Sequence, residues 1–126
     1  MEKKTLWIIG GIVAVLIGGV GWLAIQAPTE EKVAVDENRI ILFYGDGCPH
    51  CEDVDEYITQ NDIKNKVDFV ELEVWNNTDN SAIMKELAQK CGLDTNKIGV
   101  PFLVADGGCY MGGPDVQDIF KQKAGL

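Results

Sequence analysis

Basic residues are scarce in this chain: 11 Lys and Arg stand against 20 Asp and Glu, for a formal net charge of −9. A phosphate-binding surface needs a cationic patch, so nucleic acid is excluded as a partner. There is one histidine, and no Gly-rich phosphate loop, Ser/His/Asp hydrolase pattern or cofactor fingerprint. Cysteine is sparse too. Four residues are too few for a disulfide-stapled miniprotein, so at least two of them require a chemical explanation. A length of 126 residues leaves room for one small domain.

Charge is wholly missing from Leu6 to Ala27. At about 1.5 Å per residue this stretch spans roughly 33 Å, close to the thickness of a bilayer's hydrocarbon core. Trp7 and Trp22 sit near its ends, where aromatic rings favour the headgroup level. Lys3 and Lys4 precede it, whereas Glu30, Glu31 and Lys32 lie beyond its far end. The positive-inside rule keeps residues 1–5 in the cytoplasm, makes 6–27 a signal anchor and places the rest outside. A cleaved signal peptide is the competing reading, but its apolar core would be shorter, about 7–15 residues. Residues 28–38 show no apolar periodicity and read as a linker.

Residues 39–126 have the patterning of an α/β domain. Arg39–Tyr44 is a short apolar run rich in strand formers and ended by Gly45-Asp46-Gly47. Helical spacing begins at Pro49, with Cys51, Val54, Asp55 and Ile58 on one face. Pro49 suits the first helical position, which makes Cys48 the N-cap. Val67–Val74 alternates as a second strand. Asn76–Asn80 is a loop rich in capping residues, and Ser81–Cys91 is a second helix with Ile83, Leu87, Met84 and Cys91 facing inward. Phe102–Val104 is a third strand, Asp106-Gly107-Gly108 a hairpin turn and Cys109–Met111 a fourth strand. A last helix opens at Gly112-Gly113-Pro114-Asp115. The order β-α-β-α-β-β-α predicts a mixed four-stranded sheet with three helices, the first two strands parallel and the last two antiparallel.

Cys48-Pro49-His50-Cys51 carries the chemistry. A thiolate attacks disulfides, and a helix N-terminus stabilises that anion with unpaired N–H groups and the positive end of its dipole. Cys48 stands there as nucleophile, beside a Gly-rich turn that opens it to a partner. Cys51, one helical turn on, is the resolving thiol. His50 adds an N–H, or a positive charge when protonated, near the Cys48 sulfur. A Cys-x-x-Cys pair is equally half of a zinc site, but Cys91 and Cys109 are not closely paired and a helix begins directly after the motif, so no metal is expected.

Over Arg39–Leu126 the residues resemble the thioredoxin superfamily. The strand–Cys48-Pro49-His50-Cys51–helix unit, Val100-Pro101 before the third strand and Gly112-Gly113 before the last helix carry the likeness. It implies that Pro101 is cis and lies against the active-site sulfurs, and that the backbone of Val100 pairs with an extended substrate segment. The Cys-Pro-His-Cys motif, with Val before the proline, looks like the DsbA type of dithiol oxidase. The compact length, with no helical insertion between Val74 and Pro101, looks like glutaredoxin. So does Gly112-Gly113-Pro114-Asp115, a segment that in glutaredoxins holds a carboxylate of glutathione. Pro49, Val100, Pro101, Gly112, Gly113 and Asp115 are therefore the expected substrate-binding residues. Two departures stand out: Gly45 replaces a Lys usual in glutaredoxins, and Leu42 replaces a buried acid usual in thioredoxins. Asp46, Glu52 and Asp53 put negative charge near Cys48, which disfavours glutathione as a cosubstrate.

Cys91 and Cys109 have three readings: buried free thiols, a structural disulfide outside the cytoplasm, or a second redox pair. Trp75 reads as a packing residue. The expected function is disulfide exchange with extracytoplasmic protein thiols through Cys48 and Cys51, in the oxidising direction, with a membrane or extracytoplasmic redox partner and no cofactor beyond the redox disulfide. A reductase or electron relay, and a metallochaperone using the same cysteines, are the alternatives.

Overall fold

The computed structural model describes Asp36 and residues 38–126. The expected span at 6–27, the cytoplasmic start at 1–5 and most of the linker at 28–38 lie outside the described residues. Among the described residues no helix is long and apolar enough to cross a membrane.

The elements are β1 (Ile40–Tyr44), α1 (Pro49–Gln60), α2 (Ile63–Lys66), β2 (Phe69–Glu73), α3 (Thr78–Lys90), β3 (Phe102–Ala105), β4 (Gly108–Met111) and α4 (Gly113–Ala124). They build one sheet in the order β2-β1-β3-β4. β1 and β2 are parallel, while β1 with β3 and β3 with β4 are antiparallel. This is the mixed sheet expected of a thioredoxin-like domain, with one correction: the described residues form four helices, not three. The extra helix, α2, is a single turn of four residues, too short for any 3.6-residue periodicity to show in the sequence.

Strand alternation separates two apolar layers. Ile41, Phe43, Phe102 and Val104 face α3, where Met84, Leu87 and Ala88 meet them. Leu42 and Leu103 face the other way, onto Val54 and Ile58 of α1, Ile63 of α2, and Val116 and Phe120 of α4. Phe43, Phe102 and Phe120 are fully buried, and each such side chain contributes about 1.5–3 kcal/mol on leaving water. In α3 the inward face runs through Met84 and Ala88, leaving Ile83 half-buried. The helix also starts earlier than expected, because Asn77 caps it by accepting the Asn80 N–H at 3.0 Å. The β3–β4 turn places Asp106 and Gly107 at φ 51° and 75°, the two positive values that a two-residue hairpin turn needs. An ion pair from Lys123 to Asp106 ties that turn to α4.

Candidate functional site

β1 delivers its last residues into a turn that ends at the N-terminus of α1. Cys48 caps that helix in extended backbone, φ −78° and ψ 117°. Its Sγ accepts the Cys51 N–H at 3.2 Å. Pro49 occupies the first turn, where a missing N–H costs nothing. Cys48 and Cys51 are disulfide-bonded, with Cα atoms 5.2 Å apart. The helix N-terminus therefore places a hydrogen-bond donor on the sulfur that would hold the charge after reduction.

The open position expected for Cys48 is corrected: the residue is only 4 % exposed, and Cys51 7 %. Access is through a cavity of about 330 Å³ that both cysteines line together with Leu42, Tyr44 and Gly45. The Val100 carbonyl oxygen lies 3.9 Å from the Cys48 Sγ. The Val100–Pro101 peptide bond is cis. The Gly112 N–H donates to the Pro101 carbonyl at 2.9 Å, so the start of α4 is pinned to the same loop. A Cβ on buried Gly113 would lie 3.9 Å from the His50 carbonyl oxygen, which brings α4 beside α1. The fold thus gathers Cys48, Pro49, Cys51, Val100, Pro101, Gly112 and Gly113 at one end of the sheet. Asp115 is exposed in the first turn of α4.

The His50 side chain is 80 % exposed, and Nδ1 lies 3.9 Å from the Asp53 carboxylate, one turn along the helix. Cys91 and Cys109 also form a disulfide, with Cα atoms 6.2 Å apart. The free-thiol reading of that pair is overturned by the meeting of the α3 C-cap with β4.

Two residues shape the approach to Cys48: Glu73, which patterning did not single out, and Trp75, expected there only as a packing residue. Glu73, at the end of β2, accepts the N–H groups of Asp46 at 3.2 Å, Trp75 at 2.8 Å and Asn76 at 2.9 Å. It thereby couples the turn before Cys48 to the loop after β2. Partial desolvation pushes its carboxyl up, but hydrogen bonds from the backbone of Asn76, Asp46, Trp75 and Asn77 outweigh it and hold the group below its ordinary 4.5. A depressed folded value means that the stabilisation is complete above the unfolded pKa and is lost as pH falls through the folded one. Glu73→Gln is therefore expected to flatten the acid limb of the stability curve below about pH 4.5. Urea unfolding between pH 3 and 6, at roughly half-unit steps, measures this; parallel curves for the two proteins would refute it. The second residue is Trp75, 58 % exposed, whose indole ring lies so close over Gly45 that a Cβ there would run into it.

No protein-family model and no curated protein matches the chain. Among solved structures it is similar to oxidized glutaredoxin 2 from Chlamydomonas reinhardtii. The two share 24 % identity over 70 % of this chain and 83 % of that one, with a TM-score of 0.46.

Proposed function

We propose that this thioredoxin/glutaredoxin-like domain is a membrane-anchored thiol–disulfide oxidoreductase that passes disulfides to protein thiols outside the cytoplasm. The observation that carries the reading is the Cys48–Cys51 disulfide at a helix N-terminus, with the Cys51 N–H on the Cys48 sulfur. A client thiolate attacks Cys48 Sγ, the Cys48–Cys51 bond breaks, and its electron pair leaves on Cys51. A second client thiolate then attacks the client sulfur of the mixed disulfide. Cys48 departs as a thiolate held by the N–H of Cys51. The client is oxidised by two electrons and the domain reduced by two. The Val100 backbone, whose carbonyl lies beside Cys48, offers an extended client segment a hydrogen-bonding edge. Residues 6–27 anchor the domain, and a membrane redox partner returns it to the disulfide form.

The oxidising direction rests on stabilisation of the Cys48 thiolate: whatever favours the reduced form makes the disulfide a stronger oxidant. The Asp46 and Glu52 carboxylates near the site act the other way. The reduction potential of Cys48–Cys51 in the full chain decides the balance, with mass spectrometry assigning which disulfide has opened. A value near about −120 mV is the expected result, and one near about −270 mV makes the domain a reductase or relay instead. Fractionation of the same chain tests the anchor, which requires it to sediment with membranes after an alkaline wash.

A further inference from the structure

The cavity that gives access to the two cysteines is acidic on every side that carries charge. Asp46 lines it from the turn after β1, Glu52 and Asp55 from α1, and Glu71 from β2, beside Cys48 and Cys51 themselves. None of its lining residues is Lys, Arg or His. Lys64 of α2 pairs with Glu71 at 3.1 Å and offsets that charge alone. His50 turns to Asp53, and Glu73 is spent on backbone N–H groups. An independent feature points the same way: the exposed indole of Trp75 lies over Gly45, another lining residue. An indole face attracts cations. It also fills the space that a longer side chain at position 45 would need, so no cation can project from there while the ring stays in place.

We propose that the site selects cationic partners: polypeptide thiols or disulfides flanked by Lys or Arg, in preference to anionic thiols such as glutathione. This rests on the disulfide-exchange reading above and names its substrate class. The carboxylates raise the local concentration of a positively charged thiol and repel a negative one, and a cleft lined by one sign of charge focuses that field. Once bound, the flanking cation lies against the carboxylates and the Trp75 face while its neighbouring thiolate attacks Cys48 Sγ. The Cys48–Cys51 bond breaks and Cys51 leaves as a thiolate, with no further reactant needed for this step.

The test uses the oxidised full chain in a non-ionic detergent and three blocked tripeptides, Lys-Cys-Lys, Ser-Cys-Ser and Glu-Cys-Glu. Each opening rate of Cys48–Cys51 is divided by the same peptide's rate with a small neutral disulfide, which removes differences in thiol reactivity. At low salt the Lys peptide is expected to react at least about tenfold faster than the Glu peptide. The ratio should shrink towards unity near about 0.5 M salt, where screening is nearly complete. Combined Glu52→Gln, Asp55→Asn and Glu71→Gln substitution should lower the low-salt ratio; where that variant fails to fold, the salt dependence of the unaltered chain decides. Equal rates, or a faster Glu peptide, overturn the charge selection while leaving disulfide exchange intact. No reaction with any of the three, the Ser peptide included, overturns the exchange reading and this inference with it.

Discussion

Replacing Cys48 with Ser ends disulfide exchange, whereas Cys51→Ser halts it half-way. The hydroxyl of a serine neither forms a disulfide nor ionises near neutral pH, so the helix N-terminus has no sulfur anion to stabilise. Loss of the reacting atom is expected to cost at least on the order of 10³ in rate, as losses of a nucleophile do in other enzymes. The reduced Cys51→Ser chain keeps Cys48 at the N-cap and keeps the N–H of residue 51, which now donates to the free thiolate. It attacks a client disulfide but has no thiol to resolve the product, so a mixed disulfide accumulates. A non-reducing gel with a disulfide-containing client shows both outcomes, an adduct with Cys51→Ser and none with Cys48→Ser. An adduct that persists in Cys48→Ser would assign the attack to Cys51 and remove the role given to the helix cap. Both cysteines are buried, at 4 % and 7 % exposure, so neither variant is neutral for packing. Thermal unfolding of each is the necessary companion measurement.

The parts of this site that were legible in the sequence are those written in consecutive residues. The run from Ile40 to Tyr44 and the proline after Cys48 declare a strand entering a capped helix, and that is where they lie. Asp106-Gly107 declares its hairpin by residue type alone. The conformation at Pro101 came from the resemblance, since nothing local dictates it. The hidden parts depend on register and crossing. Glu71 stands opposite Leu42 only because β1 and β2 pair in that alignment, and this puts a carboxylate on the cavity wall beside the strand position that lacks an acid. Trp75 would be an ordinary edge residue had Gly45 not left room for its ring. Glu73 looks like any strand-end acid until two loops turn their N–H groups to it. Cys91 and Cys109 could not be paired from spacing, because the decisive quantity is a distance across two elements.

That second disulfide joins the C-cap of α3 to β4, the edge strand of the sheet, across 18 residues of sequence. Closing a loop of that size restricts the unfolded chain by about 3 kcal/mol in the chain-entropy model. Small domains are stable by only about 5–15 kcal/mol in total. The double substitution Cys91→Ala with Cys109→Ala should therefore remove a large share of the stability and lower Tm by roughly 12–24 °C. Urea unfolding at fixed pH reads the difference directly; a loss under about 1 kcal/mol would contradict the crosslink's structural role. The same variant separates that role from an electron relay. Cys109 pairs in register with Val104 and packs into the layer under α3, whereas α1, which carries Cys48 and Cys51, packs on the opposite layer through Val54 and Ile58. Thiol–disulfide exchange requires sulfur to meet sulfur, and here the sheet stands between the pairs. At a temperature where both proteins are folded, the variant should oxidise a dithiol peptide at the rate of the parent chain. A fall in turnover without any change in folded fraction would mean that electrons do pass between the two disulfides, by an opening of the sheet edge that the closed domain does not show.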